Sequence, residues 1–192
     1  MYDFGVIVIG AGPAGLAASI AAARRGLRVL VADAARPPID KPCGEGLMPD
    51  SQAAARRIGI EIPAALGYLF RGICFCAGGI SVTSDFPDGA ALGVRRTALH
   101  RHLVDCAAAA GVEFEFGAVY TGIDGEKVWL GSRALGVRWI VGADGGQSSV
   151  RRWAGLDDCR ANRGGLASGN IFASRRGLNL WRCTGAMAAS ST

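Results

Sequence analysis

Gly10, Gly12 and Gly15 form the pattern Gly-x-Gly-x-x-Gly, and Asp33 ends the next apolar run. Those residue types at that spacing suit a dinucleotide diphosphate. A glycine at 10 allows a tight turn, one at 12 lets a diphosphate approach the backbone, and one at 15 lets helix and strand pack closely. The N-terminus of such a helix offers free N–H groups and the positive end of its dipole to phosphates. Asp33 is placed to accept from a ribose 2′-OH and would repel a 2′-phosphate. The alternative is a glycine turn that only permits packing. The strand before the turn, the helix after it and the terminal acid together favour dinucleotide binding.

The elements that position these residues are legible in the same stretch. Phe4 to Ile9 is a continuous apolar run ending at a glycine, as in a buried parallel strand. Ala14 to Arg25 is Ala-rich and helical, with Gly26 as its stop. Arg28 to Ala32 is a second apolar run, completing a β-α-β unit. Arg36 to Pro49 is rich in Pro and Gly and predicts no regular element, and Asp50 or Ser51 caps a short helix through Arg57. Two strand-like runs between Leu69 and Phe86 meet around Ala77-Gly78-Gly79 as a hairpin. Thr97 to Ala110 is a second helix, stopped by Gly111. Val112 to Phe116, Ala118 to Ile123, Lys127 to Leu130 and Leu135 to Val141 read as strands, with a turn at Asp124-Gly125. A last helix starts near Gln147 or Ser148, and beyond about Gly155 the periodicity fades.

A second constellation separates the possible dinucleotides. The run Val137 to Val141 leads into Gly142-Ala143-Asp144-Gly145, with Ser148 and Arg151 on the helix that follows. Here the sequence resembles the p-hydroxybenzoate-hydroxylase-like flavoproteins, which comprise FAD-dependent monooxygenases and their reductase and halogenase relatives. Arg96-x-x-Leu99-x-x-x-Leu103 resembles the family helix whose arginine reaches the FAD, and Asp33 falls at the family's ribose-binding acid. Lys41-Pro-Cys43-Gly44-Glu45-Gly46-Leu47 resembles the flavin-side loop of the geranylgeranyl-reductase and halogenase-like branch.

The resemblance spans roughly Met1 to Leu156 and implies an α/β fold: an FAD-binding, Rossmann-like three-layer (ββα) domain with an inserted antiparallel hairpin at about 66–90. It implies that Gly10, Gly12, Ala14 and Gly15 hold the FAD pyrophosphate and Asp33 the ribose. Arg96 contacts the cofactor, Cys43 and Gly44 lie near the flavin, and Asp144 and Gly145 serve FAD and, in hydroxylases, NAD(P)H. An aspartate at a strand end beside a helix N-terminus orients backbone donors better than it ligates a phosphate, since like charges repel.

The implied activity is an FAD-dependent oxidoreductase, an NAD(P)H-linked monooxygenase acting on a small or lipophilic organic substrate. One alternative is a geranylgeranyl-reductase-like enzyme saturating C=C bonds, which the Cys43 loop favours; another is an inactive FAD-binding fragment. An NAD-dependent dehydrogenase is the weaker reading, disfavoured by Asp144-Gly145. A further family fingerprint, Gly-Asp before a final helix, has no counterpart after Asp144. The expectation is an N-terminal part of a flavoenzyme with its substrate domain largely missing, residues 157–192 being its start or a disordered basic tail.

Other chemistry-bearing residues have plainer readings. His100 and His102 diverge on a helix, which argues against a metal and for surface positions. Cys43 is either a reactive thiol or a small filler, Cys106 a core residue, and Glu45 a flavin-side acid or a solvated loop glutamate. Arg151 and Arg152 either meet NAD(P)H phosphates or sit on a solvated helical turn. No side chain is assigned a catalytic role.

Composition agrees with one globular domain or slightly more: 192 residues, half of them hydrophobic, 19% charged. The net charge of +5 comes from Arg151 onward, where seven arginines face two aspartates; before that, basic and acidic residues balance. A nucleic-acid partner is therefore not expected. Six dispersed cysteines without a C-x-x-C pair suggest a reducing, cytoplasmic setting. The uncharged stretch Phe4 to Ala23 is broken by glycines and Pro13, so no membrane span or signal peptide is expected, and the oligomeric state is open.

Overall fold

The computed structural model describes residues 1–156 and the backbone of residues 180–184. Strand β1 (Phe4–Ile9), helix α1 (Pro13–Ala23) and strand β2 (Val29–Asp33) form the opening β-α-β unit. The chain continues through β3 (Gly46–Leu47), α2 (Pro49–Arg57), a 3₁₀ turn at Ala64–Leu66, β4 (Tyr68–Phe70), β5 (Gly72–Ala77), β6 (Ile80–Asp85) and β7 (Ala91–Gly93). Helix α3 (Arg96–Ala109) leads to β8 (Glu113–Phe116), β9 (Tyr120–Asp124), β10 (Lys127–Leu130), β11 (Arg133–Gly142), α4 (Ser149–Trp153) and β12 (Leu180–Thr184).

The main sheet runs β8-β2-β1-β11-β10-β9, parallel from β8 to β11 and antiparallel from β11 to β9. Strand β11 is long enough to serve two partners. Its first half pairs with β10, and Val137 to Gly142 pair with Phe4 to Ile9 of β1.

The alternation of a strand explains the three layers. Val6, Val8, Val29 and Val31 face one side and pack with Leu16 and Ile20 of α1 and Leu99 and Leu103 of α3. Ile7, Ile9, Leu30 and Ala32 face the other side and pack with Val128, Leu130, Leu135 and Val137. The α/β three-layer expectation thus holds, with helices on one face and the β9–β11 meander on the other.

The inserted hairpin is β5–β6, joined by Gly78 and Gly79. Both have positive φ (56° and 81°), which glycine adopts without strain in a tight hairpin turn. One feature departs from the expectation: strands β3, β7 and β4 make a second small sheet. Within 157–192, β12 pairs in parallel with β5. Short strands of two or three residues carry too little pattern to see in sequence; their pairing is decided by non-local hydrogen bonds. The rest of the 157–192 assignment lies outside the described residues. Helix α2 also starts differently from expectation: Met48 is its N-cap residue, without a side-chain cap. No helix among the described residues is long and apolar enough to cross a membrane.

Candidate functional site

The register that pairs Ile9 with Gly142 brings the ends of β1 and β11 side by side. The Gly-rich turn therefore lies against Ala143-Asp144. Gly10 has φ 104°, and a Cβ there would sit 2.3 Å from the Ala143 carbonyl oxygen. A Cβ on Gly15 would sit 1.9 Å from the Gly10 carbonyl oxygen, so Gly15 seats α1 against the turn. Gly12 differs: its φ of −69° suits any residue, and a Cβ there would sit 3.9 Å from Arg96 Nη2. Helix α1 starts at Gly12 with no side-chain cap and no acidic residue in its first turn. Since Pro13 lacks an N–H, the amides of Ala14 and Gly15 are the donors that the first turn leaves free.

These residues border an open cleft of about 260 Å³ lined by Gly10, Gly12, Asp33, Lys41, Arg96 and Asp144, with Tyr120 and Ser149 also in its wall. Asp33 does structural work there. One carboxylate oxygen accepts from the Ala11 N–H (2.7 Å) and the other from the Ala35 N–H (2.8 Å). A carboxylate has about four lone-pair sites, so each oxygen keeps capacity for a hydroxyl donor.

Arg96, the first residue of α3, is 6% exposed, and its Nη1 is buried without a hydrogen-bond partner. No acidic side chain among the described residues pairs with it. A buried guanidinium without a counter-ion is expensive. Facing Gly12 beside the free end of α1, Arg96 and the cleft-lining Lys41 suit an anionic diphosphate.

Asp144 accepts from the Ser148 hydroxyl and from the N–H groups of Ser149 (2.7 Å) and Val150 (3.2 Å), while Ser148 Oγ accepts from the Arg151 N–H. It therefore caps α4 and fixes the loop beside Gly10. Burial pushes its carboxyl pKa up, but the hydrogen bonds from Ser148, Val150 and Ser149 outweigh that and hold it below the ordinary value. A lowered carboxyl pKa contributes stability that is present above the unfolded value near 3.8 and lost as pH falls through the folded value. Asp144→Asn is accordingly expected to flatten the acid limb of stability, measured as urea midpoints between neutral pH and pH 3 or so.

Several residues take positions that differ from expectation. Glu45 is not a solvated glutamate: its carboxylate accepts from the Arg96 N–H (2.9 Å) and its carbonyl from the Val94 N–H (2.8 Å). It caps α3 from a loop position with φ 52°. Glu45→Ala is expected to lower stability by about 1 kcal/mol through the lost cap, read from urea unfolding. His100 is not a surface residue but wholly buried, whereas His102 is partly exposed and its Nε2 donates to the Glu61 carbonyl (2.6 Å). Burial raises the pKa of Cys106, which is partly buried beside the core. Ala14 and Gly15 stand in the first turn of α1, Gly145 follows Asp144 in the loop after β11, and Cys43 and Gly44 are exposed in the loop before β3. Arg151 and Arg152 brace α4 by donating to the Gly146 and Gln147 carbonyls.

Sequence reasoning passed over Lys41 and Tyr120 as wall residues. Tyr120 packs its ring on Trp153 (4.3 Å between centroids), and burial, then the charge of Asp144, push its pKa up to about 12. Lys41 carried a signal, a cation in the loop following the ribose-side acid.

The fold and the two adjoining loops define a dinucleotide-binding domain of the p-hydroxybenzoate-hydroxylase-like flavoprotein class. More particularly, the chain belongs to the family described as FAD binding domain, whose model matches residues 3–184. It is 30% identical to menaquinone reductase of Mycolicibacterium smegmatis, over 92% of this chain and 46% of that protein. It is 31% identical to digeranylgeranylglycerophospholipid reductase 1 of Methanococcoides burtonii, over 81% of this chain and 40% of that protein. The solved structure of 2-methyl-3-hydroxypyridine-5-carboxylic acid oxygenase superposes with a TM-score of 0.71 at 25% identity, covering 78% of this chain and 42% of that one. The chain thus spans less than half the length of these relatives.

Proposed function

We propose that this chain forms the FAD-holding part of a flavin-dependent oxidoreductase that reduces C=C bonds of a lipophilic, quinone- or prenyl-type substrate. The observation that carries the cofactor assignment is Arg96, a buried cation facing the Gly-rich turn with Nη1 unpartnered. The support for the reaction is the likeness to two reductases and the Lys41–Leu47 loop. In this reading residues 1–156 bind FAD and the 157–192 stretch opens the substrate part, which the pairing of β12 with β5 supports.

Each cleft residue then has a part. The Ala14 and Gly15 amides and Arg96 hold the diphosphate, with Lys41 adding charge, and Gly12 leaves the backbone open to it. Asp33 accepts from the adenosine ribose while keeping the Ala11 peptide in place. Asp144 holds the facing loop closed on the turn through its cap of α4. Bound FAD supplies hydride transfer, with NAD(P)H as the proposed reductant. The second reading, an NAD(P)H-linked monooxygenase, is favoured by the likeness to the oxygenase structure.

Anaerobic titration separates the two. The FAD-loaded protein is bleached with NADPH or NADH and then mixed with a menaquinone or a polyprenyl lipid. Return of the flavin colour without O₂, with a reduced product, supports the reductase. Reoxidation only when O₂ is admitted, with oxygen incorporated into an organic substrate, supports the monooxygenase. Failure of both nicotinamides to bleach the flavin contradicts the NAD(P)H link.

A further inference from the structure

His100 is a titratable side chain buried at the centre of the cleft's supporting layer, and the parts given to the cleft residues above do not use it. Its exposure is 0%. From α3 it reaches two separate segments: Nε2 lies 2.9 Å from the carbonyl oxygen of Ala11 in the Gly-rich turn, and Nδ1 lies 3.4 Å from the backbone nitrogen of Ile39. A carbonyl only accepts and an amide N–H only donates. The two contacts are therefore satisfied together by one form alone, the neutral imidazole with its hydrogen on Nε2.

The Ala11 peptide is held at both ends, its N–H by Asp33 and its oxygen by His100. Ala11 stands between Gly10 and Gly12, and Ile39 itself lines the cleft. The side chain thus ties the Gly-rich turn, the loop that brings Lys41 and the helix that brings Arg96 into one unit.

We propose that His100 is a positioning residue for dinucleotide binding: its neutral Nε2–H form locks the Gly-rich turn, and its protonation unlocks the turn and weakens the grip on the diphosphate. The imidazolium would place an Nδ1–H against the Ile39 N–H, donor against donor. The charged groups that face the ring are Arg96 on its own helix, which opposes protonation, and Asp33 on β2, which favours it. The Gly-rich turn and the Ile39 segment present only backbone. Burial is the largest influence and lowers the pKa from 6.5, against the hydrogen bond to Ala11. The lock is therefore complete above 6.5 or so and lost as pH falls through the lowered folded value.

The proposal rests on the dinucleotide reading of the cleft, and its test keeps the two apart. FAD affinity of the full chain is measured by fluorescence titration at pH 7.5 and pH 5.0 for the parent, His100→Gln and His100→Leu. Glutamine keeps a donor for Ala11 and does not titrate. The parent is expected to lose affinity at the lower pH, the glutamine variant to stay flat, and the leucine variant to be about tenfold weaker than the parent at pH 7.5. A glutamine variant with the parent's pH slope, or a leucine variant with the parent's affinity, overturns the proposal. If the parent binds no FAD at pH 7.5, the cofactor reading fails, and ligand-free hydrogen exchange over residues 9–16 decides the lock. Faster exchange in the leucine variant than in the parent and glutamine proteins supports it; equal exchange overturns it. Should the leucine variant not fold, long-range ¹⁵N NMR of the parent decides, a hydrogen on Nδ1 at neutral pH being the contrary result.

Discussion

Arg96→Met is expected to weaken FAD binding about a hundredfold or more while leaving the ligand-free protein at least as stable as the parent. Removing one partner of a buried, hydrogen-bonded charge pair costs about 2–5 kcal/mol in affinity. In the ligand-free protein the balance is reversed. Arg96 is buried with Nη1 unpartnered, and its desolvation is uncompensated by any acidic side chain among the described residues. Methionine keeps the stem's packing and removes the charge. The cap on α3 is spared because Glu45 accepts from the Arg96 backbone N–H, not from its side chain. Flavin titration and urea unfolding of the same preparation check both halves. Lost stability with unchanged affinity would mean that Arg96 is a structural residue with no diphosphate to meet.

Gly12→Ala and Gly15→Ala are expected to separate binding from folding, although the two positions share one turn. A methyl at Gly15 meets the Gly10 carbonyl oxygen at 1.9 Å, backbone against which nothing flexible can yield. That substitution is expected to destabilise by on the order of 4 kcal/mol or to prevent folding. A methyl at Gly12 meets only Arg96 Nη2 at 3.9 Å, and φ of −69° accepts alanine without strain. Gly12→Ala is therefore expected to fold normally with a melting temperature near the parent's. On the proposed placement its methyl stands where the diphosphate approaches, and FAD affinity is expected to fall about tenfold or more. A Gly12→Ala protein that binds FAD as the parent does would place the diphosphate elsewhere.

The parts of this site that were legible in sequence are those in which a backbone requirement leaves a residue signature. The three glycines, the apolar run before them and Asp33 after β2 each follow from local geometry, and the turn, strand and helix lie where they predict. The facing loop was legible through its resemblance to the family's Asp-Gly fingerprint, not through local geometry; that Asp144 accepts from the Ser148 hydroxyl and the Ser149 and Val150 N–H groups was not read from the sequence.

What escaped was non-local. Glu45 caps a helix 51 residues further along, a pairing without a local pattern. His100 was readable in part. Arg96, Leu99, His100, Leu103 and Ala107 are all buried and spaced along one helical face, so the apolar stripe already included the histidine. Strands β3, β4 and β7 escaped because two or three residues hold no period.

The central claim is that the cleft between the Gly-rich turn and Asp144 holds FAD. Titration of FAD into the ligand-free 192-residue chain, followed by flavin fluorescence and competed with ADP and with NAD⁺, tests it most directly. The account predicts saturable one-to-one binding that ADP competes for, since ADP carries the ribose and diphosphate that Asp33 and Arg96 address. Absence of saturable FAD binding by the folded chain, or displacement of FAD by NAD⁺ at lower concentration than by ADP, would contradict it.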